Sequence, residues 1–172
     1  PFDCGSDLHL KAVPAACYSF VEWSDGVTTP ERDILNLRKD STLTATFAIS
    51  TFTVRFLTQD GLTELKVVNG IECGADVSTT DIDEAIVAAN ADGVAPDCKE
   101  FDAWDDAANL VNITADVDVR ATYQTKQYNL TVSVNDPSFG TANVVDGSDN
   151  VIIGPFDCGS DLHLKAVPAA CY

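Results

Sequence analysis

Methionine is absent from this 172-residue chain, and histidine occurs only twice, at His9 and His163. Basic residues are also few, since ten lysines and arginines stand against 27 aspartates and glutamates, for a formal net charge of −17. Phosphate backbones need lysine and arginine partners, so this balance argues against a nucleic-acid ligand and an anionic membrane surface. No apolar run approaches the roughly 18–20 residues that cross a bilayer, so we expect no membrane insertion within these residues.

The sequence patterns of common catalytic sites are missing as well. No serine stands in GxSxG, and the chain has no Walker loop, no HExxH and no CxxC. His9 alternates with Leu8 and Leu10, which predicts a solvent-facing position on a strand rather than a catalytic one. We therefore predict no catalytic residue, no enzymatic activity, no bound metal and no cofactor. Two acidic clusters, Asp102/Asp105/Asp106 and Asp146/Asp149/Asn150, leave Ca²⁺ binding as an alternative, although neither has the EF-hand spacing.

The chain does contain a long identical repeat. Residues 1–18, PFDCGSDLHLKAVPAACY, return letter for letter as residues 155–172, which are 154 positions further on. The simplest interpretation is a window of a tandem array with a 154-residue period, and an artificially duplicated end is the alternative. Proteins built from such arrays act through length and repetition rather than through one unique active site.

Six cysteines fall into three pairs along the sequence. An even count, wide spacing and scarce histidine favour disulfides over metal ligation, and disulfides indicate an oxidising, extracellular location. The members of each pair stand at matching points of the repeat, so we predict the local bridges Cys4–Cys17, Cys73–Cys98 and Cys158–Cys171. Such loops of about 14 and about 26 residues would contribute roughly 3–3.5 kcal/mol each in the chain-entropy account. Two sequons, at Asn112 and Asn129, are candidate glycosylation sites.

A weaker duplication lies inside the period. CGSDLHL and CYSFVEW in the first part match CGADVST and CKEFDAW in the second, so that Phe20 and Trp23 correspond to Phe101 and Trp104. A sugar-stacking role is one interpretation of these aromatic residues, but their recurrence favours core positions. The period therefore holds two modules, A and B. We place the C-terminal part of module A at 1–49, module B at 50–126, and the N-terminal part of the next module A at 127–172.

Alternating and β-branched segments separated by turn residues predict a mostly β fold for both modules. Module B also contains one predicted helix, near 81–91. Asp81 is its predicted N-cap and Glu84 completes a capping box, while Gly93 follows its end. Its apolar positions share one face: Ile82, Ala85, Ile86 and Ala89.

The pattern in module A resembles a known family. YNLTVSVNDPSFGTANVV, followed by LHLKAVPAACYSFVEWSDGVTTPERDILNLRKDSTLTATF, is similar to the divergent internalin-type B repeat, and FTVRFLTQDG, FDAW and DVDVRATY of module B resemble the more regular Listeria–Bacteroides type. The resemblance implies a small β-grasp-like or β-rich module, arranged in tandem in large secreted and cell-surface proteins. It implies no catalytic residues. The cysteines and the predicted helix depart from the common pattern.

These observations lead to a structural hypothesis. We expect the chain to be a repeat unit of a long extracellular filament, stalk or adhesin shaft, and the alternative is a repeat module that binds a glycan or a protein. The expected partners are adjacent copies of the same repeat, arranged head to tail. Whether units join by covalent continuation or by strand complementation is open at this point.

Overall fold

The computed structural model describes residues 1–170 and is mostly β, with one short helix. Residues 1–49 form two separate antiparallel pairs, in which β1 pairs with β3 and β2 pairs with β4. The strands are β1 (Ser6–Lys11), β2 (Tyr18–Trp23), β3 (Glu31–Leu37) and β4 (Ala45–Ile49).

Module B has a complete four-stranded sheet with the order β6-β5-β8-β7. Its elements are β5 (Thr51–Leu57), β6 (Glu64–Glu72), α1 (Thr79–Ala89), β7 (Lys99–Trp104), a 3-10 turn (Ala107–Leu110) and β8 (Val117–Thr125). The central strands β5 and β8 run parallel, and the outer strands are antiparallel to them. Two antiparallel pairs joined through a parallel central pair, with a helix in the connection, make this module β-grasp-like.

The remaining described residues form two small antiparallel pairs, β9 with β11 and β10 with β12. These strands are β9 (Gln127–Tyr128), β10 (Gly140–Val145), β11 (Phe156–Asp157) and β12 (His163–Pro168). Residues 129–134 have the alternating sequence NLTVSV but form no strand. The same is true of residues 41–44, STLT, which lead into β4.

The main hydrophobic core lies in module B. Phe56, Val54 and Val119 are fully buried between the sheet and α1. Trp104 is 5% exposed, and its ring centroid lies 4.8 Å from Phe56 and 4.9 Å from Phe101. Large side chains with specific ring contacts dominate the energetics of such a small core.

Trp23 is buried in the same way as Trp104. It is 6% exposed and lies 5.7 Å from Phe20, and its indole N–H donates to the Thr29 carbonyl at 3.0 Å. The indole N–H of Trp104 has no acceptor among residues 1–170. Both tryptophans therefore occupy core positions and expose no ring face for stacking on a sugar.

Helix α1 forms where the sequence predicts it but begins earlier, at Thr79. The N-cap is Ser78, whose hydroxyl accepts from the Asp81 amide at 3.1 Å and donates to the Asp81 carboxylate. The predicted cap at Asp81 is therefore wrong, because Ser78 caps the helix by accepting from the Asp81 amide. Glu84, which was expected to complete the box, instead contacts the Lys66 ammonium group on β6. Ala85 and Ala89 are fully buried, so the apolar face was predicted correctly.

Ion pairs connect several elements. Arg55 on β5 forms two 2.7 Å hydrogen bonds to Asp118 across the parallel pair. Lys66 on β6 lies 2.9 Å from Asp81 at the start of α1. Hydrogen bonding from Ser78, and then from Lys66, holds the pKa of the Asp81 carboxyl below its ordinary value. These exposed pairs fix geometry more than they add stability.

Replacement of Phe56 by alanine tests the core assignment. We expect the free energy of unfolding to fall by about 3–5 kcal/mol, because the change leaves a cavity against Trp104. Urea denaturation followed by tryptophan fluorescence measures the loss. Leu62→Ala is the matched control, since Leu62 is 85% exposed and its removal should have little effect. Equal losses in the two variants would contradict this core.

Acid titration tests the Asp81 contacts. Because folding lowers the pKa of Asp81, the unfolded chain takes up this proton first. Its stabilising contribution is complete above the ordinary aspartate pKa of 3.8 and is lost as the pH falls through the lower, folded value. Asp81→Asn should therefore flatten the decline in unfolding free energy between about pH 5 and about pH 2. Asp83→Asn makes the same charge change at an exposed position of α1 and serves as the control.

Candidate functional site: the junctions between modules

The disulfides connect different modules, so the expected local pairing is wrong. Cys17 is bonded to Cys73, and Cys98 is bonded to Cys158. Cys4 is an exposed free cysteine. The predicted bridges Cys4–Cys17, Cys73–Cys98 and Cys158–Cys171 are therefore excluded by the partners that Cys17, Cys73, Cys98 and Cys158 have. Cys171 itself lies outside the described residues.

Strand length explains why the local pairs do not form. Cys73 follows β6, and its amide donates to the Ser50 carbonyl, beside the start of β5. The Cys98 carbonyl instead accepts from the Lys126 amide, just beyond the end of β8. β5 and β8 run parallel, so these positions are at opposite ends of the module B sheet. The nine residues of β8 alone extend roughly 30 Å, far beyond the reach of a disulfide. In the same way, β1 separates Cys4 from Cys17.

At the first junction, β4 and β5 follow each other with only Ser50 between them. The Ser50 amide donates to the Cys17 carbonyl at 2.8 Å, and the Ser50 carbonyl accepts from the Cys73 amide at 2.9 Å. The N–H and C=O of one extended residue point to the same edge of a strand, so Cys17 and Cys73 meet along that edge. Their disulfide joins the start of β2 to the end of β6.

The second junction repeats this arrangement at Lys126, between β8 and β9. The Lys126 amide donates to the Cys98 carbonyl at 2.9 Å, and its carbonyl accepts from the Cys158 amide at 2.8 Å. Cys17 and Cys98 also share a left-handed backbone, with φ values of 67° and 60°. Non-glycine residues seldom adopt that conformation. The same geometry at two independent places shows that the junction belongs to the repeat pattern.

Each junction therefore has two covalent connections. One is the backbone, which passes through Ser50 or Lys126 as a continuous strand. The other is the disulfide, which joins the ends of two strands, one from each module, that lie beside this continuous strand. Two connections a strand apart oppose bending and rotation, whereas a single-residue linker leaves a hinge.

The strand registers around the junctions also match. Tyr18, Phe20 and Trp23 on β2 oppose Ile49, Phe47 and Ala45 on β4. Their counterparts Lys99, Phe101 and Trp104 on β7 oppose Thr125, Tyr123 and Ala121 on β8, and both pairs have a bulge after the phenylalanine. β2 and β4 thus form the same half-module as β7 and β8. The sequence match of Phe20 and Trp23 with Phe101 and Trp104 predicted this equivalence.

The other candidate positions do not assemble into a reaction centre. The His9 imidazole contacts Asp33 at 2.7 Å on an exposed strand face. Within residues 1–170, no group of three or more His, Cys, Asp or Glu side chains is placed to hold a metal ion. The Asp146 carboxylate accepts from Ser148 and Asn150, mainly the Asn150 side chain, which lowers its pKa and closes a turn.

Other surface features are a cleft in module B and the two sequon positions. A cleft of about 520 Å³ lies beside Tyr123 and is lined by Thr58, Asp60 and Pro96 among others. Burial raises the pKa of the Tyr123 hydroxyl, which donates to the Ala89 carbonyl at 3.0 Å. The sequon residues Asn112 and Asn129 are both exposed. Among the described residues, no helix is long and apolar enough to span a bilayer.

Removal of one junction disulfide tests the pairing. Cys17→Ser with Cys73→Ser should lower the free energy of unfolding by about 4 kcal/mol, because the bridge closes a 56-residue loop. Urea denaturation measures the loss, and peptide mapping without reduction should recover Cys17 linked to Cys73 in the wild type. Cys4→Ser is the control and should leave stability unchanged. A linked Cys4–Cys17 peptide would disprove the junction geometry.

Comparison with known proteins supports the resemblance seen in the sequence. Residues 2–51, which contain β1 to β4, match the family described as the Divergent InlB B-repeat domain. Searches of the curated proteins and of the solved structures give no significant match. The family match fits an extracellular or cell-surface protein, as the two disulfides do. The segment of residues 2–51 is thus similar to the InlB-like B-repeat.

Proposed function

We propose that this chain is a repeat unit of an extracellular shaft, filament or stalk whose module junctions are stiffened by disulfides. The observation that carries the proposal is the recurrence of one junction geometry at Ser50 and Lys126. A spacer needs a defined relation between consecutive modules. The strongest geometric regularity of this chain lies in that relation.

The disulfides also shorten the covalent path along such a shaft. Cys4 and Cys158 occupy the same repeat position, and Cys17 corresponds to Cys171. With junction disulfides throughout an array, a continuous covalent path follows only Cys4 to Cys17 and Cys73 to Cys98 in each period. Those segments have sequence separations of 13 and 25 residues, or 38 of the 154 in each period. Tension would pass through this short path, so the strands of module B, which lie outside it, would not lengthen the shaft if they separated.

The net charge of −17 supports the same role. Copies in an array would repel one another laterally, which favours an extended, soluble assembly over collapse or bundling. Five of the ten lysines and arginines form ion pairs within a module, such as Arg55 with Asp118 and Arg32 with Asp25 at 2.7 Å. The shaft surface between them is therefore strongly acidic.

Single-molecule stretching tests the proposal. In the oxidised chain, the two disulfides bridge sequence separations of 56 and 60 residues, and a force applied at the chain ends cannot extend these two segments. Full extension should then reach about 190 Å, against about 600 Å after reduction, at roughly 3.5 Å per residue. Cys4→Ser should behave like the wild type. An oxidised chain that extends nearly as far as the reduced one would refute the short path, and with it the proposed mechanical role.

A further inference from the structure

The cleft beside Tyr123 has a counterpart in module A. In module B, the cleft is lined by the turn that joins β5 to β6 and by the segment that leads to Cys98. A second cleft, of about 260 Å³, is lined by the turn that precedes β10 and by the end of β12, which leads to Cys171 in the sequence. The two clefts are therefore bounded by equivalent parts of the two modules.

The residue positions in the two turns agree with this equivalence. The two junction residues, Ser50 and Lys126, are 76 residues apart. The same spacing separates the dipeptide at residues 59–60 of the first cleft, Gln-Asp, from the dipeptide at residues 135–136 of the second, Asn-Asp. Each turn thus presents a carboxamide followed by a carboxylate at the same two positions.

The remaining lining of each cleft is largely apolar. Each cleft contains a valine, a proline and an aromatic residue: Val94, Pro96 and Tyr123 in module B, and Val167, Pro168 and Phe139 in module A. The two valines stand four residues before Cys98 and Cys171 in the sequence. The Tyr123 hydroxyl donates to the Ala89 carbonyl, so this residue contributes ring surface to the cleft rather than a polar group.

The two carboxylates are held in the same orientation. The Asp60 Oδ1 accepts from the Leu62 amide at 2.9 Å, and the Asp136 Oδ1 accepts from the Ser138 amide at 2.8 Å, so each forms an Asx turn. A hydroxyl, from Thr58 or from Ser138, donates to the same oxygen and is the main cause that lowers the pKa of each carboxyl. Among residues 1–170, the Oδ2 of each carboxylate accepts no hydrogen bond.

The polar groups of the clefts indicate the class of ligand. An ionised carboxylate oxygen needs a donor, whereas the neighbouring carboxamide, Gln59 or Asn135, supplies N–H groups that need an acceptor. A hydroxyl group both donates and accepts, but an ammonium group only donates and would leave the carboxamide N–H groups unpaired. Within the described part of the chain, neither cleft is lined by a lysine or an arginine, and the net charge of −17 disfavours acidic ligands.

We propose that each of these clefts binds a neutral oligosaccharide. The Oδ2 of Asp60 or Asp136 accepts from a sugar hydroxyl, and the carboxamide before it donates to a neighbouring sugar oxygen. The C–H face of the sugar ring packs against the valine, the proline and the aromatic residue. The site recurs in successive modules, so several weak contacts along one chain add up to avidity for a polymeric glycan. Glycan binding is a further function, beyond that of a spacer.

The test combines a glycan array with nuclear magnetic resonance. The fluorescently labelled chain is screened against neutral, sialylated and sulfated oligosaccharides, and the neutral oligosaccharide with the strongest signal is titrated into the isotope-labelled chain. We expect the side-chain NH₂ resonances of Gln59 and Asn135 to shift, with two sites per chain. Asp60→Asn keeps the Asx-turn acceptor but replaces the available oxygen by a donor, so affinity at the module B cleft should fall at least about tenfold. The Asn135 response should persist in this variant.

Asp136→Asn should give the reciprocal result, with affinity lost only at the module A cleft. Asp83→Asn makes the same charge change on α1, outside both clefts, and is the matched control that should leave both sites intact. The amide spectrum of each variant shows whether it folds. The proposal is overturned if no neutral oligosaccharide shifts either resonance, if sialylated or sulfated probes bind more tightly, or if both aspartate variants bind like the wild type. A trilysine peptide that competes for the same resonances more tightly would assign the clefts to cationic peptides instead. None of these outcomes alters the stretching result, so the two proposals fail separately.

Discussion

The backbone hydrogen bonds at Ser50 and Lys126 are the constraint on which the rest of the arrangement depends. Each of these residues holds two cysteines along one edge of its strand, and the disulfide then forms between strand ends that are already aligned. Without the continuous strand, the cysteines that flank it would belong to separate modules with no fixed relation. The disulfide preserves an alignment that strand pairing creates, and it needs no large interface between modules.

The elements and the core were largely predictable from the sequence, while the disulfide pairing was not. Alternation predicted most strands, and the 3.6-residue period predicted the buried face of α1. Cysteine pairing depends on which strand ends meet, and sequence proximity is a poor guide when a whole strand or helix lies between two cysteines. One signal was available: Cys73 follows a strand that must turn back along β5, so it returns to the junction near Cys17.

The segments that form no strand show where local pattern stops being sufficient. Residues 130–133 have the same alternation as β5, yet they lack a ladder in this chain. A strand requires a hydrogen-bonded partner as well as a favourable sequence. Module B, in which both halves are present in one chain, has the buried core, whereas the partial modules bury little beyond Ala12, Trp23, Val144 and Val145.

The two modules differ in the element that lies on the short covalent path, and this difference affects how the proposed shaft extends under tension. Both modules place an element between their two cysteines, the strand β1 in module A and the helix α1 in module B. A strand is already near full extension, so tension gains little length from it. The 11 residues of α1 span about 16 Å as a helix and reach roughly 36–40 Å when extended. In the proposed shaft, α1 is therefore the main element on the load path that can yield, by about 20 Å per period, while the disulfides in series with it stay intact.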